Sequence, residues 1–232
     1  MARQSSGSVA SAHRFALDPS SASLSRVDAQ SGGGFSAPSP VGSERLDLHA
    51  FVPHSQANGP GERAVVWVQG CSLACPGCFN PETHARGTGT PTRVAELASR
   101  IAALAQSGVA GLTLTGGEPL EQMAAVTALV LGVRRQVDLS VLLFTGYSWD
   151  EARALPGAEV LLAAVDVVIA GRFDHAHRLG RSLLGSANQT IHFLTDRHSP
   201  ADFDNIPEAE LLIGPDGQVV ATGIVAVPIR RT

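Results

Sequence analysis

Apolar runs that stop at a glycine recur along this chain, and no other feature narrows its fold as much. Arg63 to Gln69 is largely apolar and meets Gly70. Gly111 to Thr115 meets Gly116-Gly117, Leu139 to Thr145 meets Gly146, and Val165 to Ala170 meets Gly171. Short runs of Val, Leu and Ile like these predict buried strands. Helical patterns fill the gaps. Pro91 to Ser107 carries Val94, Leu97, Ile101 and Leu104 at helical spacing, with Pro91 near the first turn. Pro119 to Val137 is also helical, and Trp149 to Leu155 is a short helix. Strands alternating with helices predict an α/β fold with a mostly parallel sheet and right-handed crossovers. Ligands in such sheets bind outside the carboxyl ends of the strands, where these glycines fall.

The flanking segments set the boundaries. Leu46 to Val52 largely alternates and predicts a strand, followed by a turn at Gly59-Pro60-Gly61. Gln189 to Leu194 is a further strand. Leu211 to Ile213 and Val219 to Ala221 flank Pro215-Asp216-Gly217, a hairpin signal. Residues 1–44 differ in texture, with 12 Ser, 7 Ala, 5 Gly and almost no apolar period. Such a segment buries too little surface to offset its ordering entropy, so a disordered tail is expected there. The remaining 45–232, 188 residues, is short for a complete eight-stranded barrel. A partial, open (β/α) barrel is the expected architecture.

Composition excludes several functions. A formal net charge of −4 gives no electrostatic case for nucleic acid or an anionic membrane as partner. No run approaches the length of a transmembrane helix, and Phe15-Ala16-Leu17 is too short for a secretory signal, so a cytoplasmic protein is expected. All 17 basic residues are Arg, which excludes a phosphate-loop lysine, a Schiff-base lysine and a lysine general base.

The only three cysteines, Cys71, Cys75 and Cys78, fall within eight residues, just after one of the predicted strands. An odd, clustered set is a poor disulfide framework and a good metal-ligand set. Pro76 and Gly77 favour the tight turn that aims Cys75 and Cys78 inward. Three thiolates match a 4Fe–4S cluster with one iron open, since ordinary clusters use four Cys. A zinc site completed by His84 and three unrelated core thiols are the competing readings. Trp67, in the apolar strand before the loop, is assigned to the core.

Cys71-x-x-x-Cys75-x-x-Cys78 resembles the cluster motif of the radical S-adenosylmethionine (radical SAM) enzymes. Thr115-Gly116-Gly117-Glu118-Pro119-Leu120 resembles that superfamily's second signature, which contacts the methionine amino group. The resemblance implies a 4Fe–4S cluster on Cys71, Cys75 and Cys78, with S-adenosyl-L-methionine chelating the open iron. Reductive cleavage would then give a 5′-deoxyadenosyl radical that abstracts hydrogen. On the residues alone, Gly116 to Pro119 also reads as a plain strand-to-helix turn. Cys-Pro-Gly-Cys-Phe-Asn at 75–80, Phe144-Thr145-Gly146-Tyr147, the run from Asp166 to Phe173, and Gly185 to Gln189 are similar to the activating component of anaerobic ribonucleotide reductase.

That closer resemblance implies a formate-lyase-activase-like enzyme that installs a glycyl radical on a separate large enzyme. It also implies a flavodoxin- or ferredoxin-like electron donor. Cofactor-binding roles are expected for Gly77, Phe79, Asn80, Gly116, Gly117, Glu118, Pro119 and Tyr147. Phe79 either stacks on adenine or packs on the barrel, and Tyr147 either lines the ligand or sits on the rim. Asn188 and Gln189 either reach the nucleoside or hold a loop. Alternatives for the whole chain are a radical SAM enzyme acting on a small molecule or peptide, and a non-catalytic iron–sulfur or zinc module.

Overall fold

The computed structural model describes residues 44–214, 217 and 219–225. Nearly all of the expected 1–44 tail, and Pro215-Asp216 of the expected turn, lie outside them.

One seven-stranded sheet organises the chain. Its strands are β1 (Arg45–Ser55), β2 (Arg63–Val68), β3 (Thr90–Arg93), β4 (Gly111–Gly116), β5 (Ser140–Thr145), β6 (Val167–Ala170) and β9 (Thr190–Phe193), in the order β3-β1-β2-β4-β5-β6-β9. The central pairs β2–β4, β4–β5 and β5–β6 are parallel, as expected. The flanking pairs β1–β2, β1–β3 and β6–β9 are antiparallel. Two small antiparallel pairs complete the strands: β7 (Arg178–Arg181) with β8 (Leu184–Ser186), and β10 (Ala209–Ile213) with β11 (Val219–Gly223).

Period-2 alternation divides the central strands between two faces. Ala64, Val66, Val68, Leu112, Leu114, Val141, Leu143, Val168 and Ala170 enter one core with helices α1 (Val94–Leu104), α2 (Met123–Arg134) and α4 (Ala158–Leu162). On α1 the inward side chains are Val94, Leu97, Ala98 and Ile101. Burying each large one contributes about 1.5–3 kcal/mol. A Cβ at Gly132 of α2 would lie 3.1 Å from the Ala98 Cβ, so glycine lets the two helices approach closely. The opposite face of the sheet packs Leu142, Val167 and Ile169 against Leu183 and Phe203.

Two helix starts shift from expectation. Thr90 to Arg93 pairs with Arg45 to Leu48 as an edge strand, so α1 begins at Val94 and not at Pro91. Pro119–Gln122 forms a separate single turn, and α2 begins at Met123. A further helix, α3 (Trp149–Ala154), opens on a capping box between Ser148 and Glu151.

Arg63 holds the end of the sheet where β4 and β5 start. Its guanidinium is fully buried and donates to Thr113 Oγ1 (2.7 Å), Ser140 Oγ (2.9 Å), and the carbonyls of Pro60, Leu112 and Ser140. A Cβ at Gly111 would lie 2.1 Å from its Nη1. Glycine at that strand start is therefore what admits the arginine.

Candidate active site

The cysteine loop leaves β2 and returns beside it. The Gly70 amide donates to the Thr83 carbonyl (2.7 Å) and the Cys71 amide to the His84 carbonyl (3.1 Å), so the loop closes on its own ends. Within it the Cys78 amide donates to the Cys75 carbonyl (3.1 Å), which makes the turn expected from Pro76-Gly77. Gly77 has φ +72°, and a Cβ there would lie 2.9 Å from His175 Cδ2. Glu121 clamps the first half of the loop. It accepts the Ser72 amide (2.8 Å), the Ser72 hydroxyl and Arg86 Nη2 (2.6 Å). Burial opposes ionisation of Glu121, but these donors outweigh it and hold its pKa below the ordinary value.

The Gly116-Gly117-Glu118-Pro119 turn docks against that loop. The Gly117 amide donates to the Val68 carbonyl (2.8 Å) and the Glu118 amide to the Gly70 carbonyl (2.9 Å). A Cβ at Gly116 would lie 2.5 Å from Val68 N, and one at Gly117 2.3 Å from Gly70 O. The two glycines thus serve the approach of β4 to the end of β2. Glu118 is 1% exposed. Its Oε1 accepts the Leu120 amide (2.9 Å) and the Thr145 hydroxyl (2.8 Å), and its Oε2 accepts the Gly146 amide (2.7 Å). Burial pushes its pKa up to about 7 against the pull of those three donors. Glu118 therefore braces the turn against the end of β5.

These loops enclose a cleft of about 920 Å³, counted out to its open mouth, at the carboxyl ends of the parallel strands. Of the expected site residues, Cys71, Cys75, Cys78, Phe79, Asn80, Gly116, Gly117 and Glu118 line it. Gly77, Pro119 and Tyr147 lie outside the lining. Gly77 shapes the loop turn, Pro119 is buried at the start of its helical turn, and Tyr147 packs on the helix-side core under Arg172. Phe79 is flanked by the Phe173 ring (4.6 Å) and the Arg178 guanidinium (4.8 Å), so it packs against side chains of the neighbouring loop and strand while it lines the cleft. Gln189 is engaged by the Gly185 and Ser186 amides and the Gly171 carbonyl, and Asn188 by the Arg172 carbonyl; these bonds hold loops, and Gln189 also lines the cleft.

Asn58, Leu183 and Ile224 reach the cleft from separate elements and carry no sequence signal of their own, whereas Phe144 and Phe173, which also line it, lie in segments that carry the family resemblance. Trp67 corrects an expectation: it lines the cleft, and its Nε1 is buried without a partner among the described residues. His84 also lines the cleft, and its Nε2 is likewise buried and unpartnered.

The cysteine chemistry fits a cationic centre. Burial raises the Cys78 pKa; the Asn80 amide offsets part of this, and the Cys75 and Cys71 charges add to it. Burial also raises Cys71. Among the described residues, no three His, Cys, Asp or Glu side chains gather tightly enough for one ion. Cys71, Cys75 and Cys78 open onto the cleft as separate thiols, and a 4Fe–4S cluster is held by Cys thiolates of this kind. With two buried polar atoms of the lining left without a partner among the described residues, the residues present fit a cluster and a polar ligand in the same cleft.

A family model described as a 4Fe-4S single cluster domain matches residues 57–192, which contain both loops. The anaerobic ribonucleoside-triphosphate reductase-activating protein of Enterobacteria phage T4 is 36% identical over 157 residues, 65% of this chain and 96% of that relative. The chain belongs to this family. The activating protein of Vibrio cholerae is 33% identical over 156 residues, covering 65% of this chain and 99% of the relative. That of Escherichia coli K12 is 31% identical over 156 residues, covering 64% and 99%. A 4Fe–4S cluster domain is thus present, and the iron–sulfur reading prevails over the zinc reading. Strands β10 and β11 lie beyond the matched residues.

Proposed function

We propose that this chain is a radical SAM activase that installs a glycyl radical on an anaerobic ribonucleoside-triphosphate reductase. Cys71, Cys75 and Cys78 hold its 4Fe–4S cluster, and Gly116, Gly117 and Glu118 shape the place of the methionine end of S-adenosyl-L-methionine. The observation that carries this reading is the opening of all three thiols onto one cleft beside that turn, at the carboxyl ends of the parallel strands. When bound, the reduced cluster and S-adenosyl-L-methionine supply the 5′-deoxyadenosyl radical that takes hydrogen from the partner's glycine.

This chain's residues do the positioning. Carbonyls of the Gly116–Gly117 turn would accept the ammonium group of the methionine end. Trp67 Nε1 and His84 Nε2 offer polar contacts on the cleft wall, and Phe144 and Phe173 help exclude water from it. We read the open seven-stranded sheet as the partial barrel of this class, with 45–232 as the functional domain and 1–44 dispensable to it. No helix among the described residues is long and apolar enough to cross a membrane. We place the chain in the cytoplasm, where a flavodoxin- or ferredoxin-like donor supplies the electron.

The test is anaerobic reconstitution with iron and sulfide, followed by dithionite and S-adenosyl-L-methionine. The expected result is about four irons per chain, release of methionine and 5′-deoxyadenosine, and a glycyl radical signal on added reductase. A fully loaded protein that releases neither product overturns the reading.

A further inference from the structure

The C-terminal hairpin, outside the family match, re-enters the cleft. Gly223 and Ile224, at the end of β11, line it. Gly223 has φ +122°, and a Cβ there would lie 2.4 Å from the Glu208 carbonyl oxygen. The chain turns sharply at that glycine, and the amides of Ile224 and Val225 both donate to Glu208 O (2.9 and 3.2 Å). Asn58, itself a lining residue, donates from Nδ2 to Thr222 Oγ1 (2.8 Å) in a buried contact. The Gln56 amide donates to Glu210 Oε2 (3.0 Å). The hairpin is therefore tied to the β1–β2 turn through Thr222 and Glu210, and Ile224 is a fixed part of the cleft wall.

Thr222 and Glu210 share one face of the hairpin. The opposite face pairs Ile213 with Val219, Leu211 with Ala221 and Ala209 with Gly223. It carries no charge and no hydroxyl. Leu211 is 49% exposed, Ile213 74% and Val219 38%, and they are three of the four exposed large apolar side chains among the described residues. A two-stranded sheet with one bare apolar face is an incomplete layer, and such a patch marks an interaction surface.

We propose that this face docks the polypeptide the activase acts upon, guiding an apolar segment of the reductase into the cleft. The proposal rests on the activase reading. What selects this occupant is continuity: Gly223 belongs to both the apolar face and the cleft wall, so a segment laid along the face meets the same cleft that the cysteines line. A second copy of this chain has no such reason to end there.

The experiment compares full-length wild type with Leu211→Asp/Ile213→Asp, both cluster-loaded. The partner is the anaerobic ribonucleoside-triphosphate reductase of the same genome. Both side chains are exposed, and matching circular dichroism and cluster absorbance check that the variant is folded. The expected result is a rise of about tenfold in the reductase concentration giving half-maximal glycyl radical, with the yield at saturation retained. Anaerobic sedimentation should show the same loss of complex. An unchanged dependence on reductase overturns the proposal. So does a wild-type dimer that the variant converts to monomer while activation stays the same, which would assign the face to a second copy. Wild-type protein that cleaves S-adenosyl-L-methionine but leaves the reductase without a radical overturns the activase reading itself, and this proposal with it.

Discussion

Gly146 and Leu73 meet so closely that one added methyl has no room: a Cβ on Gly146 would lie 2.5 Å from Leu73 Cδ1. Leu73 belongs to the cysteine loop between Cys71 and Cys75, and Gly146 follows β5. The contact therefore couples the end of a core strand to the position of two thiols. Gly146→Ala should push Leu73 aside, because the end of a flexible side chain yields before backbone does. We expect a stability loss of about 1–2 kcal/mol and a fall in reconstituted iron of about threefold. Denaturant midpoints and iron content check this, and full iron loading in the variant would show that the loop does not depend on the contact.

The Glu118 carboxyl gives the cluster-free protein a pH dependence of definite sign. Burial places its folded-state pKa at about 7, above the ordinary 4.5. The unfolded chain releases that proton first, so stability fully present below 4.5 is lost as pH rises through 7. Between pH 6 and 8 the contribution is about 1 kcal/mol. His192 and His198, whose pKa values burial lowers, act in the opposite direction. The informative quantity is therefore wild type minus Glu118→Gln, measured by urea unfolding at the two pH values. Equal slopes in the two proteins would remove Glu118 as the cause.

Arg63 is a cation with neutral partners. Burial lowers its pKa to about 10, with Asp166 opposing, so it remains charged at neutral pH. Arg63→Met would remove the donors to the Ser140 hydroxyl and to the buried Leu112 and Ser140 carbonyls, leaving Thr113 Oγ1 its bond to the Asn58 carbonyl, at a cost of about 3 kcal/mol or more. Because Arg63 sits where β4 and β5 start, away from the cysteines, the folded fraction should still load iron normally. Thermal unfolding and iron per folded chain separate the two effects.

The strand-helix alternation and the cysteine loop were legible because each has a strong local cause. Apolar runs stopping at Gly70, Gly116, Gly146 and Gly171 place four strand ends together, and those ends carry the site. What stayed hidden depends on contacts distant in sequence. Thr90 to Arg93 has no apolar alternation and becomes a strand only by pairing with Arg45 to Leu48. The β7–β8 connection turns at Ser182 and Leu183, both at positive φ, without the glycine that normally marks such a turn. Gly116 and Gly117 line the cleft as well, but the sequence does not tell that the backbone of Val68 and Gly70 stands where their Cβ atoms would be. The hairpin was visible from its turn signal, but nothing in residues 209–224 reveals that Ile224 reaches the cysteine cleft.

Trp67 separates a structural role from a binding role in one substitution. Its indole Nε1 is buried on the cleft wall with no partner among the described residues, so it makes no hydrogen bond to them. Trp67→Phe removes that donor while keeping an aromatic ring, and a buried donor without a partner costs about 1–3 kcal/mol. The cluster-free variant should therefore match or exceed wild type in urea. If the indole donates to the cofactor, the loaded variant should bind S-adenosyl-L-methionine about fivefold more weakly, the worth of one neutral hydrogen bond. Isothermal titration of the unreduced, cluster-loaded proteins measures this directly. Lower stability with unchanged affinity would return Trp67 to the core, where its apolar neighbours in the sequence had placed it.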